Sequence, residues 1–460
     1  MNEDRHSILK ELPSVDELVL LIQQKKVAES YSHRHIVTIA RNELETLRAE
    51  LINGKSIPSD LTAYLEKKVE KSLMAILAPS LRRVVNLTGI FVHTNLGRSP
   101  LMQDAVEALD TSAHYCNLEY DLSKRGRGKR DKNLERLLPL LTGCANFLLT
   151  NNNAAALFLI LNTFARGKKV AVSRGELIEI GGSFRIPDIM RASGAKLVEV
   201  GTTNRTRISD FQTAIDDGAK MLLKVHTSNY RIEGFSESAP VSELVELARS
   251  NEVMCVEDLG SGSFIDISKW GLPKEPTVQD SLSSGVDLVC FSVDKLLGGP
   301  QGGLVFGKKE YVAKMNKNPI KRVVRAGKLT ILALEATLRN YLNEEKFMKS
   351  HPLYRNLLVE KDELESRGKE FIKKLKEKFG DSVEYLIRED KCYIGGGSLP
   401  EQAIDTMVLE LTPVKIKLNK LLNCFYDNNP PIIGRVSNEK LLLDLRQLEN
   451  IDDGVPSQEL

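Results

Sequence analysis

The sequence predicts an α/β protein with a large middle domain on a mainly parallel sheet, a helical amino-terminal domain and a small α+β carboxy-terminal domain. Three observations lead to this prediction. Residues 1–80 show helical periodicity with little β character, residues 81–335 alternate short apolar strands with amphipathic segments, and this alternation loosens over residues 336–460. Such alternation is typical of βαβ units in a parallel sheet.

Composition and charge exclude several classes of protein. The 460 residues, 42% hydrophobic and 27% charged, lie in the globular range and suffice for two or three domains. A net charge of +2 gives no overall attraction to nucleic acid or acidic lipid, so a polyanionic partner must meet a local patch. Six cysteines without a CxxC pair favour a reducing compartment, and we expect no metal site.

The amino terminus and the longest apolar runs bear on location. The first residues carry acids where a signal peptide would be basic, and no apolar run is long enough to cross a bilayer. We therefore expect a cytoplasmic protein without membrane contact.

The first 80 residues are predicted to form a helical domain. Ser14 and Glu17 make a capping box ahead of Leu18, and a second periodic stretch runs from Ile36 to Leu47. This region carries 11 basic and 12 acidic residues, so any contact with RNA depends on where the charges lie.

Apolar segments of the middle domain predict strands, and residues 240–250, with Pro240 in the first turn, predict a helix. Ligands of parallel sheets collect at the carboxyl ends of the strands, so His226, Asp258 and Lys295 are expected in one region. The predicted strands are Lys169 to Ser173, Lys196 to Gly201, Met221 to His226, Val253 to Asp258 and Val286 to Ser292.

Lys295 is the residue around which the other candidates are arranged. The apolar run before it stops at Ser292 and Asp294, and a glycine-rich turn follows. A lysine at a strand end can form a Schiff base with a carbonyl cofactor if burial favours its neutral form, and the glycines allow backbone to approach a bound group. The alternative is a surface lysine in a loop, and this motif alone does not choose between the two.

Asp258, Asn152 and Asn153 are further candidates. A carboxylate at the end of a strand can hold a protonated pyridine nitrogen, whereas an isolated Asp before a Gly-Ser loop is more often a turn residue; the pairing of Asp258 with Lys295 separates these interpretations. The asparagines open a predicted helix, where free amide donors suit a phosphate group. The alternative is that they only cap the helix.

Motifs over nearly the whole chain, from Leu12 to Arg446, resemble one family, the bacterial L-seryl-tRNA(Sec) selenium transferases, also called selenocysteine synthases. Lys129 stands where the family motif has His. The motifs are Val85-Asn-Leu-Thr-Gly89, His93-Thr-Asn-Leu-Gly-Arg98, Asn117-Leu-Glu-Tyr-Asp121, Gly126-Arg-Gly128, Asn151-Asn-Asn-Ala-Ala-Ala156, Ser173-Arg-Gly-Glu-Leu177, Glu179-Ile-Gly-Gly182, Val200-Gly-Thr-Thr-Asn-Arg205, Val225-His-Thr-Ser-Asn-Tyr230, Asp258-Leu-Gly-Ser-Gly-Ser263 and Asp294-Lys-Leu-Leu-Gly-Gly-Pro-Gln301.

The resemblance implies a pyridoxal 5'-phosphate enzyme of the aspartate aminotransferase-like fold. It would convert L-seryl-tRNA(Sec) and selenophosphate into L-selenocysteyl-tRNA(Sec) and phosphate through a cofactor-bound dehydroalanyl intermediate. It also implies a large ring-like homo-oligomer, a decamer in this family, whose amino-terminal domain engages the tRNA. Lys295 would carry the cofactor, and the expected cofactor-binding residues are Lys295, Asp258, His226, Ser292, Asn152 and Asn153.

The resemblance also assigns Arg98, Arg322 and Arg325 to the oxyanion of selenophosphate. Arginine suits this role because its planar fork donates two parallel hydrogen bonds and keeps its charge. On a helix, Arg322 and Arg325 would share a face; the alternative for each is a solvated surface charge. The basic cluster of residues 124–130 is either a mobile loop or a grip on a phosphate.

Two other functions remain open from the sequence. One is a pyridoxal phosphate lyase or desulfurase that acts on a free amino acid, which would not need the helical residues 1–80. The other is a non-catalytic RNA-binding assembly, which the presence of both Lys295 and Asp258 argues against.

Overall fold

The chain divides into two compact units, Met1–Arg83 and Val84–Leu460. The computed structural model describes residues 11–53, 60–180, 184–227, 232, 234–395 and 403–458. Parts of the quoted motifs, namely residues 181–182 and 228–230, lie outside this range. The domain boundaries near residues 80 and 335 stay predictions.

The helices and strands have the following bounds. The α-helices are α1 Val15–Gln23, α2 His33–Ile52, α3 Leu61–Leu77, α4 Gln103–Ala108, α5 Leu137–Thr142, α6 Asn153–Phe164, α7 Ile186–Ser193, α8 Ile208–Asp216, α9 Val241–Ser250, α10 Val278–Ser284, α11 Lys309–Lys317, α12 Ile320–Val323, α13 Lys328–Asn340, α14 Glu344–Ser350, α15 Pro352–Leu357, α16 Lys361–Phe379 and α17 Leu418–Tyr426. The strands are β1 Val85–Asn86, β2 Tyr120–Asp121, β3 Gly126–Arg127, β4 Phe147–Thr150, β5 Lys169–Ser173, β6 Glu179–Ile180, β7 Phe184–Arg185, β8 Lys196–Val200, β9 Ala219–Val225, β10 Met254–Gly260, β11 Leu288–Ser292, β12 Gly303–Gly307, β13 Val383–Cys392, β14 Ile404–Pro413, β15 Ile432–Ile433, β16 Arg435–Ser437 and β17 Lys440–Asp444.

The first unit packs α1, α2 and α3 around its own apolar core. The predicted capping box is present, because the backbone N–H of Glu17 donates to Ser14 Oγ at 3.1 Å and the Ser14 N–H donates to Glu17 at 2.8 Å. The buried side chains recur every three or four residues along each helix, so each helix turns one apolar stripe inwards. These residues are Leu18, Ile22, Ile36, Ala40, Leu44, Leu47, Leu65, Val69 and Leu73.

The second unit is organised by a seven-stranded sheet of order β4-β12-β11-β10-β9-β5-β8. Within this sheet β12 runs antiparallel to both of its neighbours, β11 and β4, and the remaining pairs are parallel. Successive residues of one strand enter cores on opposite faces, as Leu222 and Leu223 do. Burial on both faces explains why these strands are continuous apolar runs in the sequence.

A second sheet, of order β13-β14-β17-β16, lies in the carboxy-terminal part of this unit and is antiparallel throughout. Helix α16 packs on it through Leu364, Phe371 and Leu375. The short strand β1 pairs in parallel with β15, so the first residues of the unit lie beside some of its last.

The predicted fold class is confirmed, with the helical region, the mainly parallel sheet and the small α+β region in the expected order. Each of the five predicted strands is present, with both ends within two residues of the predicted bounds; β11, for example, begins at Leu288 and not at Val286. The charged segment of residues 354–379 is divided between α15 and α16. Among the described helices, none combines the length and apolar composition that a membrane crossing requires.

Candidate active site

Three of the predicted site residues meet at the carboxyl edge of the large sheet. Asp258 lies at the end of β10, His226 directly follows β9, and Asn153 begins α6 after β4. The Nδ2 of Asn153 donates to Asp258 Oδ1 at 2.8 Å, and the backbone N–H of His226 donates to the carbonyl of Asp258 at 2.9 Å. Asp258 and His226 therefore lie together at this edge, as expected.

Lys295 lies in the turn after β11 and is only 3% exposed. Burial lowers the pKa of its amine to about 8, because the ammonium is poorly solvated there. The nearby carboxylate of Asp258 opposes this fall, and the Arg98 guanidinium reinforces it. A substantial fraction of the amine is thus neutral near pH 7.5, whereas an exposed lysine is almost fully protonated at this pH.

The carboxyl group of Asp258 is buried, and burial raises its pKa. The hydrogen bond from Asn153 and the charge of Lys295 both act against this rise by stabilising the carboxylate. Because the charge of Lys295 and the hydrogen bond from Asn153 both act on this acid, the three residues form one electrostatic unit.

Arg98 is held next to this unit by an ion pair. Its Nη1 donates to both oxygens of Asp294, at 2.8 and 3.0 Å, and Asp294 is buried while Arg98 is partly exposed. Arg98 has a φ of +64°, a conformation that is uncommon outside glycine. The residue before Lys295 therefore positions Arg98 at the site.

The turn that carries Lys295 is held in place by His351, which lies between α14 and α15, and by Tyr354 of α15. Gly298 has a φ of +71°, and a Cβ built there would lie 2.2 Å from Nε2 of the buried His351. That ring nitrogen lies 3.1 Å from the Gly298 carbonyl oxygen, and the hydroxyl of Tyr354 donates to the carbonyl of Leu296. Only glycine fits at residue 298, which explains part of the glycine-rich motif.

Asn152 and Ser292 lie at the same edge of the sheet, and their contacts described here are with neighbouring parts of the fold. Asn152 caps α6, its Oδ1 accepting from the N–H of Ala155 at 2.8 Å. Ser292 is the buried last residue of β11 and pairs with Gly303. A Cβ on Gly303 would lie 2.3 Å from the carbonyl oxygen of Asn152, so a second glycine is required where the strand passes the helix start.

His226 and Asn153 each present a polar atom that the fold does not satisfy. The Nδ1 of His226 and the Oδ1 of Asn153 are buried and have no hydrogen-bond partner among the described residues. Burial, together with Lys224 and Lys295, lowers the pKa of His226 to about 4, so its ring is neutral at pH 7. Unsatisfied buried groups beside a partly neutral lysine are what a site built for a polar cofactor requires.

Arg322 and Arg325 line a different cleft, of about 1060 Å³. Arg322 lies on α12, but Arg325 lies beyond the end of this helix, where its backbone bridges Thr150. The two arginines therefore do not share a helix face. Both are exposed, and Arg325 Nη1 lies 3.7 Å from Glu119 Oε1.

Part of the basic cluster of residues 124–130 lines the same cleft, through Arg127, Lys129 and Arg130. Arg130 donates to Glu119 at 2.7 and 3.0 Å and to the carbonyl of Ala326 at 2.6 Å, so this residue is fixed in place. The cleft gathers more basic than acidic side chains, which suits an anionic ligand.

Another cleft, of about 720 Å³, lies around Asp287 and Lys308 at the amino ends of the parallel strands. It contains none of the predicted site residues, and the ion pair between Asp287 and Lys308 is a contact within the fold. We do not assign it to the active site.

The comparisons with known proteins agree with this geometry. A family model described as L-seryl-tRNA selenium transferase matches residues 84–449. The chain belongs to this family. The L-seryl-tRNA(Sec) selenium transferase of Carboxydothermus hydrogenoformans is 42% identical over 449 residues, which cover 97% of this chain and 96% of the relative. The enzyme of the same name from Desulfotalea psychrophila is 42% identical over 456 residues, covering 98% and 97%.

Among solved structures, D-glucosaminate-6-phosphate ammonia-lyase superposes with a TM-score of 0.56 at 16% identity, covering 81% of this chain and 93% of that one. At this identity the likeness concerns the fold alone. It supports the α/β architecture that the sheet order already indicates.

Sequence reasoning missed several residues of the site in this family member. The sequence pattern marks Asp294 only as the end of an apolar run, although this residue holds Arg98. His351 and the buried Glu275 were not singled out. Glu275 stands between Pro273 and Pro276, a composition typical of an exposed loop, so no local signal marks its burial.

Proposed function

We propose that this chain converts L-seryl-tRNA(Sec) and selenophosphate into L-selenocysteyl-tRNA(Sec) and phosphate for selenoprotein synthesis, with pyridoxal 5'-phosphate carried by Lys295. The observation that carries the proposal is a buried lysine with a pKa of about 8 beside a buried carboxylate, in a chain of this family. We also propose that the protein acts in the cytoplasm, where its tRNA substrate would be found. The family resemblance supports a large homo-oligomer.

The residues present fit the cofactor. Lys295 supplies a partly neutral amine for the carbonyl group, Asp258 supplies a carboxylate for a protonated ring nitrogen, and the start of α6 supplies amide donors for a phosphate. The unsatisfied atoms of His226 and Asn153 are available to the same ligand. When bound, pyridoxal phosphate withdraws electrons from the α-carbon of the seryl group, so that the α-proton and the β-hydroxyl can leave.

Lys295 is the group that moves protons in this proposal. Its amine takes a proton at Nζ, and the resulting ammonium can return one to the departing hydroxyl. Asn153 favours the ionised form of Asp258 by donating to Oδ1 at 2.8 Å. Lys295 and Asp258 are buried, which excludes water and strengthens these interactions.

Arg98, Arg322 and Arg325 are the proposed ligands of selenophosphate. Arg98 uses Nη1 for Asp294 and has other guanidinium donors for an anion. The other two arginines line the basic cleft with Arg127 and Lys129. Selenophosphate and a tRNA phosphate share the same recognition chemistry, and this cleft suits either one.

The first experiment tests where the cofactor is bound. Borohydride reduction of the loaded protein followed by peptide mapping should place the pyridoxyl group on Lys295. Lys295→Ala should abolish the absorbance band of the loaded protein, whereas Lys308→Ala, at the opposite edge of the sheet, should keep it. A pyridoxyl group on any other lysine would contradict the proposal.

The second experiment tests the substrate. Single-turnover assays should convert seryl-tRNA(Sec) with selenophosphate and leave free serine unchanged, and Lys295→Ala should be inactive. Turnover of free serine alone would favour the lyase or desulfurase alternative. Binding of tRNA without any turnover would favour the non-catalytic assembly.

A further inference from the structure

Glu176 is a buried acid to which the proposed function assigns no role. It lies in the short 3₁₀ helix Arg174–Glu176 that follows β5, and it is only 5% exposed. Its Oε2 accepts a hydrogen bond of 2.9 Å from the backbone N–H of Val225, and its Oε1 lies 2.5 Å from Nζ of Lys224. A buried carboxylate is stable only when it is paired and hydrogen-bonded, and these two contacts meet that need.

The contact with Val225 takes the place of a missing strand. The ladder between β5 and β9 ends with the pair of Val172 and Leu223, two residues before β9 itself ends. Because β5 ends at Ser173 and then turns, its backbone does not follow β9 as far as Val225. A buried backbone N–H requires an acceptor, and the carboxylate of Glu176 supplies it.

The turn that carries Glu176 has a fixed path. A Cβ built on Gly175 would lie 2.6 Å from the carbonyl oxygen of Thr203, so the backbone passes too close for a larger residue. The hydroxyl groups of Ser173 and Thr206 form a buried hydrogen bond of 2.8 Å, which ties the start of this turn to the segment between β8 and α8. These contacts fix the position of the carboxylate at the end of β9.

His226 is the residue that this arrangement positions. Its N–H donates to the carbonyl of Asp258 at 2.9 Å, so β10 holds the end of β9 on one side and Glu176 holds it on the other. Glu176, Lys224 and His226 also line one cleft of about 330 Å³. The carboxylate therefore acts on the main chain directly before the histidine and borders the same space as its ring.

Lys224 is the counterion of this carboxylate. Its Nζ also donates to Ser238 Oγ at 2.7 Å, and its side chain is 16% exposed. The ion pair with Lys224 and the hydrogen bond from Val225 are separate contacts of one carboxyl group. Substitutions can therefore remove them separately.

We propose that Glu176 is a positioning residue, which holds the end of β9 through the N–H of Val225 and thereby fixes the ring of His226 for contact with pyridoxal phosphate. It acts on the cofactor only through this histidine. The inference rests on the proposed function, because His226 affects the reaction only if it contacts the cofactor. The hold on β9 does not depend on any ligand.

The test uses the full-length protein and measures its dissociation constant for pyridoxal phosphate. Glu176→Ala leaves the buried N–H of Val225 without its acceptor, so the dissociation constant should rise by about tenfold. The visible circular dichroism of the bound cofactor, which reports the asymmetry of its surroundings, should weaken at saturation. In the apoprotein, hydrogen exchange of the peptide that covers residues 219–226 should become faster.

Two uncharged variants separate the hydrogen bond from the ion pair. Glu176→Gln combined with Lys224→Met removes both charges and keeps one side-chain oxygen for the N–H of Val225. Glu176→Ala combined with Lys224→Met differs from it only in lacking this acceptor. The first variant should bind the cofactor within about twofold of wild type, whereas the second should keep the loss of about tenfold. This pair carries the comparison if Glu176→Ala alone does not fold.

A double-mutant cycle tests whether Glu176 acts through His226. His226→Ala should weaken cofactor binding, and adding Glu176→Ala to it should weaken binding by no more than about twofold further. Losses that multiply would show that the two residues act independently, and the inference would then be wrong.

Asp287→Ala is the matched control. Asp287 is also a buried carboxylate that accepts from a strand N–H, that of Cys255 at 2.8 Å, and it pairs with Lys308 at 2.5 Å. It lies at the opposite edge of the same sheet. Its substitution should lower the midpoint of urea unfolding, as Glu176→Ala does, but leave the affinity for pyridoxal phosphate and the circular dichroism of the bound cofactor unchanged.

Unchanged cofactor affinity in Glu176→Ala would overturn the inference, as would an equal loss of affinity in Asp287→Ala or in both uncharged variants. If the wild-type protein does not load at Lys295 at all, the proposed function fails instead. Hydrogen exchange of the apoprotein then still shows whether Glu176 holds β9, so the two failures are distinguishable.

Discussion

At the residue scale, two adjacent asparagines at the start of α6 have different tasks. Asn152 caps the helix through Ala155, and Asn153 donates its amide hydrogen to Asp258. The contact of Asn152 stabilises helix α6, whereas the contact of Asn153 stabilises the negative charge of Asp258. Substituting each asparagine separately should therefore separate stability from cofactor binding.

Asn152→Ala should lower the free energy of unfolding by about 1 kcal/mol, the usual effect of losing an N-cap. Asn153→Ala should instead weaken pyridoxal phosphate binding by roughly tenfold, because a charged buried acceptor loses a hydrogen bond of about 1.5–3 kcal/mol and Asp258 ionises less readily. Urea unfolding of the apoprotein and a cofactor titration measure the two effects. Equal loss of affinity in both variants would show that Asn153 has no special role.

The positions of site residues were predictable from the sequence where the residue lies at the end of a predicted strand. Lys295, Asp258 and His226 stand at the ends of apolar runs, and the carboxyl-edge rule brings them together. The Arg98–Asp294 pair joins residues 196 positions apart, and no local pattern encodes such a contact. For Asn152 the sequence did not decide between two roles, because an asparagine at the start of a helix can either cap the helix or bind a phosphate.

At the scale of elements, the turn between β11 and β12 determines the orientation of Lys295. Gly298 in this turn lies against His351, and Gly303, the first residue of β12, lies against the start of α6. The turn has ten residues, too few for a helical crossover, so β12 must return antiparallel to β11. This antiparallel strand was predictable from the short spacing, whereas the place of β4 next to β12 was not.

Gly298→Ala should lower the free energy of unfolding by about 3 kcal/mol, since the new Cβ combines a positive φ with a clash against His351. Gly97→Ala is the matched control, because residue 97 has a φ of +91° with nothing within 4 Å of the built Cβ. It should lose only about 1 kcal/mol. Urea unfolding measures both values, and similar losses would mean that the His351 contact yields easily.

At the scale of the whole molecule, the two compact units suggest a division of labour. The described part of residues 1–83 has an apolar core formed by α1, α2 and α3, and each predicted cofactor-binding residue lies in Val84–Leu460. The sequence could predict this helical region because its apolar residues recur at helical spacing. It could not give the tRNA contacts, which depend on where individual charges lie on the surface.

A fragment of residues 84–460 should load pyridoxal phosphate with nearly the affinity of the full chain and lose at least about tenfold in affinity for seryl-tRNA(Sec), a change of roughly 1.4 kcal/mol. Cofactor titration and filter binding at one fixed salt concentration test this, because salt alone changes tRNA affinity. Undiminished tRNA binding by the fragment would place the nucleic-acid surface in the second unit.

The pairing of β1 with β15 has a consequence for how the chain is made. Val85 pairs with Ile432, about 350 residues later in the chain. The carbonyl of Leu87 likewise accepts a hydrogen bond from the N–H of Asp444. During synthesis, the start of the second unit must therefore remain unpaired until nearly the entire polypeptide has left the ribosome. Nascent chains stalled before residue 432 should remain sensitive to protease near residue 85.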